Sequence, residues 1–496
     1  MVRIEQEKDI EILRQVALKL ARENQQLIDR IKELSRELSR LRGAEAVKAQ
    51  TELDLLKELL ARREHALFGD SSEKRRSPVE RAETTGSAPR RGHGPRPQPE
   101  LPIIEQVHEL PETQRECPVC GGTLAEMGDQ CEESEEITVV ERRFVLVKQR
   151  RKKYRCRCNA SVVTAPGPPK LQPGSRYSPE FAVEVAASKY LDHQPLERQA
   201  RIMKREGLSI DSQTLWDQIN VLAHHLEPTY EALGQRVLAS ELIGADETYW
   251  RLMGSHARKR WWVWGLAGED AVVYKILDSR SEASAGKLLA GYRGIVMADG
   301  YGAYTALARA GPSFKLVHCW AHVRRKYVEI EEHYPSESAR MVDLIGELYE
   351  VERRVNEAPS EERLRLRGEL RDECSRKIIK QIGEWAREQK PLPRSGLGKA
   401  ISYMLGLWPG LTAFLDDPRI PLDNNGIERG MRGVVLGRKN HYGSRSRRGT
   451  EVAAILYTLF ESAKLCGVEP KGYVLRATHT AIAQPGTVTL PRELQS

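Results

Sequence analysis

The apolar positions of the N-terminal segment repeat every seven residues. Leucine occupies every seventh position from Leu13 to Leu41, and a second column, running from Ile10 to Leu38, lies three positions before each leucine. This is the a/d pattern of a coiled coil, and Asn24 at an a position is a polar residue of the kind that fixes register in a parallel dimer. The pattern predicts a coiled coil that pairs two subunits. A long amphipathic helix packed on its own chain is the alternative.

From Ser178 onward the pattern is helical. Three segments are predicted to be helices: Pro179–Lys189, Pro195–Arg205 and Ser212–Leu222. Gly207 separates the last two, and Ser212 is the expected N-cap of the third helix. A helix, a short turn with glycine and a second helix suit a DNA-binding helix-turn-helix, although a small helical bundle has the same pattern.

Residues 239–320 change to the alternating pattern of strands. Three successive segments predict an antiparallel meander: Leu242–Trp250, Arg260–Ala267 and Ala271–Leu277. A predicted helix over 281–292 leads to an apolar strand that ends at Asp299, and a short strand over 314–318 follows. This order of elements is that of an RNase H-like core.

About 110 charged and mostly helical residues then separate His318 from Glu428. An RNase H-like core does not need them, so they are predicted to form a helical insertion over about 330–415. The predicted fold class is therefore multidomain α+β. Its parts are a coiled-coil dimerisation region (1–70), a flexible basic linker (71–102), a zinc-ribbon DNA-binding domain (103–170), a helical, helix-turn-helix-like region (171–238), an RNase H-like α/β catalytic domain with the helical insertion (239–450), and a helical tail (451–496).

Composition narrows the class of protein. At roughly 150 residues per domain, 496 residues suggest about three domains. Lys and Arg exceed Asp and Glu by 78 − 70 = +8, which permits a polyanionic partner without establishing one. No segment reaches the roughly 18 apolar residues of a membrane span, and the charged N-terminus does not resemble a signal peptide. We therefore expect a cytoplasmic protein, bound to the bacterial nucleoid when it holds DNA, with no membrane partner.

Two close pairs of cysteines indicate a metal site. The four candidate ligands are Cys117, Cys120, Cys156 and Cys158. Cysteine thiolates suit tetrahedral Zn²⁺, and two pairs joined by strands are typical of a zinc ribbon. The second pair has the spacing CxC, one residue short of CxxC, so Cys131 or His108 is an alternative ligand. Free buried cysteines are the other interpretation.

Basic residues lie beside the second pair. The predicted DNA contacts in this segment are Arg150, Arg151, Lys152 and Lys153. Lysine and arginine at such density neutralise the phosphates of a DNA backbone, so double-stranded DNA is the expected partner.

Three carboxylates are candidates for catalysis. Asp246 lies on the first predicted strand, Asp299 at the end of the fourth, and Glu428 in the early turns of a helix that Asp423 or Asn424 would cap. Carboxylate oxygens on adjacent strands suit Mg²⁺ or Mn²⁺, and two such ions can activate the attacking oxygen and stabilise the leaving one. A surface charge is the alternative for each residue taken alone.

Basic residues also surround Glu428. The expected DNA contacts here are Arg324, Arg325, Arg429, Arg432, Arg438 and Lys439. The segment from Cys319 to Lys326 could bind metal through Cys319 and His322 at helical spacing. It could equally pack a helix on the sheet and direct its arginines at DNA.

These motifs, in this order, resemble the insertion-sequence-sixty-six family of transposases over nearly the whole chain. The motifs that carry the resemblance are LFGDSSEK (67–74), CPVCGG (117–122), KYRC (153–156), DET (246–248), MADGY (297–301), CWAHVRRK (319–326), DNNGIER (423–429), GRKN (437–440) and SAK (462–464).

The resemblance implies that Asp246, Asp299 and Glu428 are a DDE triad and that the four cysteines bind zinc. It further implies a transposase that cuts DNA at the ends of its element and joins the freed 3′-hydroxyl to target DNA. The expected partners are those DNA ends, the target, further copies of the chain and accessory proteins of the same element. An RNase H-like nuclease that does not join strands is one alternative, and a non-catalytic zinc-ribbon DNA-binding regulator is the other.

Overall fold

The computed structural model describes most of the chain after residue 143 and short pieces before it. The described residues are 23–34, 50, 52–53, 56–58, 144–155, 162–254, 260–310 and 314–494. The chain divides into two units, one formed by Met1–Leu67 with Arg143–Ser496 and the other by Phe68–Arg142. All of the second unit lies outside the described residues.

A five-stranded mixed sheet lies at the centre of the first unit. The described strands are β1 (Lys153–Arg155), β2 (Val162–Thr164), β3 (Leu242–Trp250), β4 (Trp261–Ala267), β5 (Val272–Leu277), β6 (Ile295–Ala298) and β7 (Lys315–His318). The sheet has the order β5-β4-β3-β6-β7, in which β3, β4 and β5 are antiparallel neighbours and β6 and β7 run parallel to β3. The predicted meander and the two later strands are therefore present in one sheet.

Helices surround this sheet. They are α1 (Pro179–Tyr190), α2 (Leu196–Arg205), α3 (Ser212–Leu238), α4 (Glu282–Leu288), α5 (Gly302–Ala310), α6 (Trp320–Val328), α7 (Pro335–Asn356), α8 (Arg363–Leu370), α9 (Arg376–Glu388), α10 (Gly396–Gly406), α11 (Trp408–Thr412), α12 (Asn425–His441), α13 (Arg447–Leu465) and α14 (Pro470–Ala483). The π-helical turn Arg371–Ser375 joins α8 to α9. Helices α7 to α11 fall in the segment where an insertion was predicted.

At β6, the two faces of the sheet belong to different hydrophobic clusters among the described residues. On β6, Ile295 and Met297 pack in a cluster with the helices of the insertion, whereas Val296 and Ala298 pack in the cluster with α1, α3 and α13. Successive residues of a strand point to opposite faces, so this alternation separates the clusters. The insertion therefore covers the β6–β7 part of one face.

Residues on both sides of the expected boundaries at 238 and 450 pack in one core. Leu222 of α3, Val273 of β5 and Leu456 of α13 belong to the same hydrophobic cluster. Helix α3 continues 16 residues beyond its predicted end to Leu238 and packs on the sheet. The helical region, the sheet and the C-terminal helices are therefore continuous in packing.

The N-cap of α3 differs from the prediction by one residue. Asp211 caps the helix, because its side chain accepts a hydrogen bond from the Thr214 N–H at 2.6 Å. The Ser212 hydroxyl instead donates to Glu197 on α2 at 2.7 Å. A carboxylate is the stronger acceptor for a helix N-terminus, since its charge also complements the helix dipole.

The described part of the N-terminal segment contacts its own chain. Residues 23–34 are helical, Arg30 pairs with Glu52 at 3.5 Å, and Leu34 and Leu53 are buried. Glu58 accepts hydrogen bonds from the Tyr334 hydroxyl and from the first N–H of α10. Most of the predicted a/d column lies outside the described residues, so the coiled coil stays a prediction.

The predicted zinc ligands also lie outside the described residues. Strands β1 and β2 form a short antiparallel pair, in which Tyr154 lies opposite Val163. Of the four basic residues predicted to contact DNA in this segment, Lys153 is the one that lies in β1. Among the described helices, none is long and apolar enough to cross a membrane.

Candidate active site

Asp246 lies in the middle of β3, beside the end of β6. The parallel register pairs Gly244 with Met297, so two residues further along each chain Asp246 comes opposite Asp299, the residue that follows β6. Neighbouring strands lie about 4.8 Å apart, and residues two apart share a face. The sheet therefore brings these two sequence-predicted aspartates side by side on one face.

Two glycines allow α12 to approach that face. A Cβ added at Gly244 would lie 2.3 Å from Asn424 Oδ1, and one at Gly265, the partner of Asp246 on β4, would lie 2.9 Å from Met431 Sδ. Both positions share the face of Asp246, since they lie two residues away or directly opposite in register. The missing side chains make room for α12 on either side of Asp246.

The start of α12 is fixed to the sheet. The Asn424 side chain donates to the carbonyl of Ala245 at 2.9 Å, across 179 residues of sequence. Asp423 Oδ1 accepts the Asn425 N–H at 3.1 Å, so Asp423 satisfies one of the backbone N–H groups that have no partner within the helix at its N-terminus. Glu428 lies in the first turn, where the sequence placed it.

A tight turn after β6 holds Asp299. Gly300 has φ of +90°, a conformation that favours glycine, and Tyr301 N–H donates to Asp299 Oδ1 at 2.9 Å. The Tyr403 hydroxyl of α10 donates to the Asp299 carbonyl. The insertion thus contacts the backbone of a candidate catalytic residue.

Burial and like charge together raise the pKa of Asp246 to about 7. Burial is the largest cause, followed by the carboxylates of Glu247 and Asp299, and Glu428 adds to the same effect. A divalent cation would relieve this repulsion, and oxygen ligands suit Mg²⁺ or Mn²⁺. Asp246, Asp299 and Glu428 therefore fit a divalent-cation site by charge and donor type.

Glu428 is turned toward α6. Its Oε1 lies 3.6 Å from His322 Nδ1, and its Oε2 lies 3.8 Å from Arg325 Nη2. In the described part of the chain, the three-residue cluster with ligand atoms all within 4.8 Å of one another is Cys319, His322 and Glu428. Burial raises the pKa of the Cys319 thiol to about 11 and lowers that of His322.

The acidic residue next to Asp246 was not singled out from the sequence. Glu247 points to the opposite face, where its carboxylate pairs with Arg280 and accepts the Tyr304 hydroxyl at 3.1 Å. The Arg280 guanidinium lies 4.8 Å from the Trp262 ring and 3.7 Å from the Tyr301 ring. The sequence did carry a signal for the separate role of Glu247, because alternation along β3 places Asp246 and Glu247 on different faces of the sheet.

The predicted DNA contacts differ in their surroundings. Eight of these predicted contacts have exposed side chains: Arg150, Arg151, Lys152, Lys153, Arg324, Arg429, Arg432 and Lys439. Arg325 is partly exposed and lies beside Glu428. Arg438 is engaged by the sheet, since it donates to Thr248 Oγ1 at 3.1 Å and to the Tyr249 carbonyl. The exposed members are the ones available to an external phosphate backbone.

Comparison with solved structures gives low overall similarity. A crystal structure of the Mos1 strand transfer complex aligns with 29% of this chain and 58% of that chain, at 13% identity and a TM-score of 0.12. The Mos1 transposase paired-end complex with the left transposon end aligns with 48% of this chain and 78% of that chain, also at 13% identity, with a TM-score of 0.14. TM-scores this low do not establish a shared fold.

Comparison of sequences gives long alignments. Two uncharacterized proteins of Sinorhizobium fredii (strain NBRC 101917 / NGR234) are similar to this chain. The protein y4jD is 32% identical over 408 residues and 78% of each chain, and y4qI is 30% identical over 520 residues, covering 96% of this chain and 94% of its own length. The model of the transposase IS66 family matches residues 174–452, more than half of the chain. With the sheet, α12 and the three carboxylates all inside the matched region, the chain belongs to the IS66 family of transposases.

Proposed function

We propose that this protein is the DNA transposase of an insertion sequence. In this proposal it binds the ends of its element and catalyses metal-dependent strand cleavage and transfer of the 3′-hydroxyl into target DNA. The observation that carries the proposal is that Asp246, Asp299 and the first turn of α12, which contains Glu428, lie on one face of a sheet whose strand order suits an RNase H-like core. Family membership independently supports a transposase role.

Asp246, Asp299 and Glu428 would hold the divalent cations, Mg²⁺ or Mn²⁺. Such ions supply electrostatic activation of an attacking oxygen and stabilisation of a leaving oxygen at phosphorus. The chain's own contribution is geometric. The register of β3 and β6 places the two aspartates side by side. Gly244 and Gly265 leave room for α12 on that face of the sheet. The hydrogen bond from Asn424 to the Ala245 carbonyl would then position the first turn of α12, and with it Glu428.

The reaction conserves phosphodiester bonds in its second step. Water first attacks the phosphodiester at the element's end, and the bond between phosphorus and O3′ breaks. The element keeps a 3′-hydroxyl and the flanking DNA keeps a 5′-phosphate. That hydroxyl then attacks a target phosphodiester, forming one P–O bond while another breaks, so no nucleotide energy source is required. The exposed Arg429 and Arg432, which are neighbours on α12 just after Glu428, would position the phosphate backbone at the site.

The remaining functional assignments belong to the same proposal. A zinc ribbon formed by Cys117, Cys120, Cys156 and Cys158 would contact the DNA ends, together with the basic segment before β1. A coiled coil of the N-terminal heptads would pair subunits so that two ends are held together. Accessory proteins encoded by the same element would complete the assembly.

A strand-transfer assay with the full chain tests the proposal. Purified protein, Mg²⁺ or Mn²⁺, labelled DNA carrying the element's ends and a supercoiled target are combined, with Glu428→Gln in parallel. The matched control is Glu347→Gln, an exposed glutamate of α7 on the insertion. We expect joined products from the wild type and the control and none from Glu428→Gln, with end binding unchanged in all three.

Two other outcomes identify the alternatives. Metal-dependent cleavage that never yields joined products, even with the element's accessory proteins present, indicates a nuclease. DNA binding without cleavage in any of the three proteins indicates a regulator and contradicts the proposal.

A further inference from the structure

Three potential metal ligands meet where α6 and α12 begin. Cys319 lies at the N-cap of α6, His322 three residues later, and Glu428 in the first turn of α12. Residues three apart on a helix share a side, so Cys319 and His322 both face α12. One ligand atom from each residue falls within 4.8 Å of the other two.

Two of these atoms are buried without a hydrogen bond. Within the described part of the chain, His322 Nδ1 and Glu428 Oε1 are buried polar atoms that lack a hydrogen-bond partner. They lie 3.6 Å apart, which is too far for a hydrogen bond between them. Ligand atoms about 2.1 Å from a tetrahedral ion are about 3.4 Å from each other, so this separation is close to that of two ligands of one ion.

The donor set selects the kind of ion. A thiolate, an imidazole and a carboxylate are together a borderline-soft set that suits Zn²⁺ and disfavours Mg²⁺. The Asn424 N–H approaches Cys319 Sγ at 3.3 Å and the sulfur lies at a helix N-terminus, and both features oppose the burial that raises the pKa of the thiol. Binding of Zn²⁺ would release the proton that the thiol keeps in the metal-free chain. We propose that Cys319, His322 and Glu428 form a binding site for Zn²⁺, separate from the predicted ribbon, with water completing the coordination.

This site would share Glu428 with the catalytic carboxylates. The Glu428 carboxylate already faces His322 and Arg325 of α6. A zinc ion bound to Cys319, His322 and Glu428 would hold that carboxylate against α6 and away from Asp246 and Asp299. Zinc would then inhibit the reaction that Mg²⁺ supports. This consequence, unlike the site itself, rests on the proposed function.

Counting bound zinc tests the site without any assay of activity. The full chain is dialysed to equilibrium at a series of buffered free Zn²⁺ concentrations, and zinc per chain is measured by mass spectrometry. Cys319→Ser, His322→Ala and Glu428→Gln are compared with wild type. The matched control is Cys466→Ser, since Cys466 is another buried cysteine and lies outside the cluster. Zinc at the predicted ribbon is common to all five proteins and cancels in the comparison.

We expect one ion to be lost or bound at least about tenfold more weakly in each of the three variants and retained in the control. Thermal unfolding identifies the variants that fold as the wild type does, and any one of these suffices for the comparison. Equal zinc binding in wild type and a folded variant overturns the proposal.

A parallel titration of Zn²⁺ into the strand-transfer reaction separates the site from its consequence. Inhibition of wild type at the concentration that fills the extra site, with at least about tenfold more zinc needed for Cys319→Ser, supports shared use of Glu428. Equal inhibition of both proteins overturns that sharing. If the wild type transfers no strands at all, the proposed function fails, and the zinc count still decides the site.

Discussion

Asp246 and Glu247 are adjacent carboxylates, the first half-buried and the second buried, with opposite surroundings. Glu247 faces the side of the sheet where Arg280 and Tyr304 compensate its charge. Asp246 faces α12, and the charges of Asp299 and Glu428 add to that of Glu247 in raising its pKa. Burial is the largest cause of a raised pKa in both residues, but for Glu247 the bond to Arg280 opposes it.

This difference agrees with the proposal that Asp246 binds a cation, whereas Glu247 stabilises the fold. A buried carboxylate that has its own cation stabilises one arrangement of side chains. Carboxylates gathered without a cation cost free energy in the isolated protein, and this cost is recovered when a positive ligand binds. The following predictions test that distinction, beginning with the largest effect.

Asp246→Asn is expected to lower the strand-transfer rate by at least about 10³-fold, because removing a metal ligand forfeits several kcal/mol of transition-state stabilisation. Binding to the element's ends should be unchanged. The rate is measured under single-turnover conditions and binding by electrophoretic mobility shift. A rate within tenfold of wild type would exclude Asp246 from the metal site.

Gly244→Ala is expected to reduce the rate by about 10–100-fold, since a displacement of about 1 Å in a catalytic group has effects of this size. Its methyl group would meet Asn424 and push the start of α12 from β3. Gly426→Ala is the matched control, because a Cβ at Gly426 meets no atom within 4 Å. Equal rates for the two variants would show that contact between α12 and the sheet does not position Glu428.

Glu247→Gln is expected to destabilise the fold by about 1–3 kcal/mol, since it leaves the partly buried Arg280 without its counter-charge. Glu269→Gln, in the exposed turn between β4 and β5, should be close to neutral. Thermal unfolding of the metal-free proteins measures both. An unchanged melting temperature in Glu247→Gln would mean that the pair with Arg280 contributes little.

Asp246→Asn is also expected to raise the melting temperature of the metal-free protein by a few degrees at pH 8 and by less at pH 5. The pKa of Asp246 is about 7 in the folded chain and 3.8 for an unperturbed Asp carboxyl, so the folded state binds more protons between these values. Stability contributed by this group therefore falls as pH rises through that window. A pH-independent difference between the proteins would contradict the raised pKa.

The elements of the core could be predicted because their patterns are local. Alternation predicted β3, β4 and β5, and the apolar run before Asp299 predicted β6. The ends of helices were harder to predict from the sequence. Asp211 and Ser212 are both good N-caps, and the choice between them depended on Glu197 of another helix. The continuation of α3 to Leu238 was missed because its later turns are defined by packing on β5.

The sequence by itself determined the order of the elements, the residue types at the candidate site and the family. Its motifs placed Asp246, Asp299 and Glu428 correctly on a strand, at a strand end and in a first helical turn. Tertiary structure alone decided which face each residue occupies and which partners it has. It set Asp246 opposite Asp299 through the register of β3 and β6, and it turned Glu428 toward His322. The physical reason is the sequence separation of the contacts. Periodicity depends on neighbouring residues and so indicates only the element to which a residue belongs. A contact such as that of Asn424 with Ala245, 179 residues apart in sequence, forms only when the chain packs.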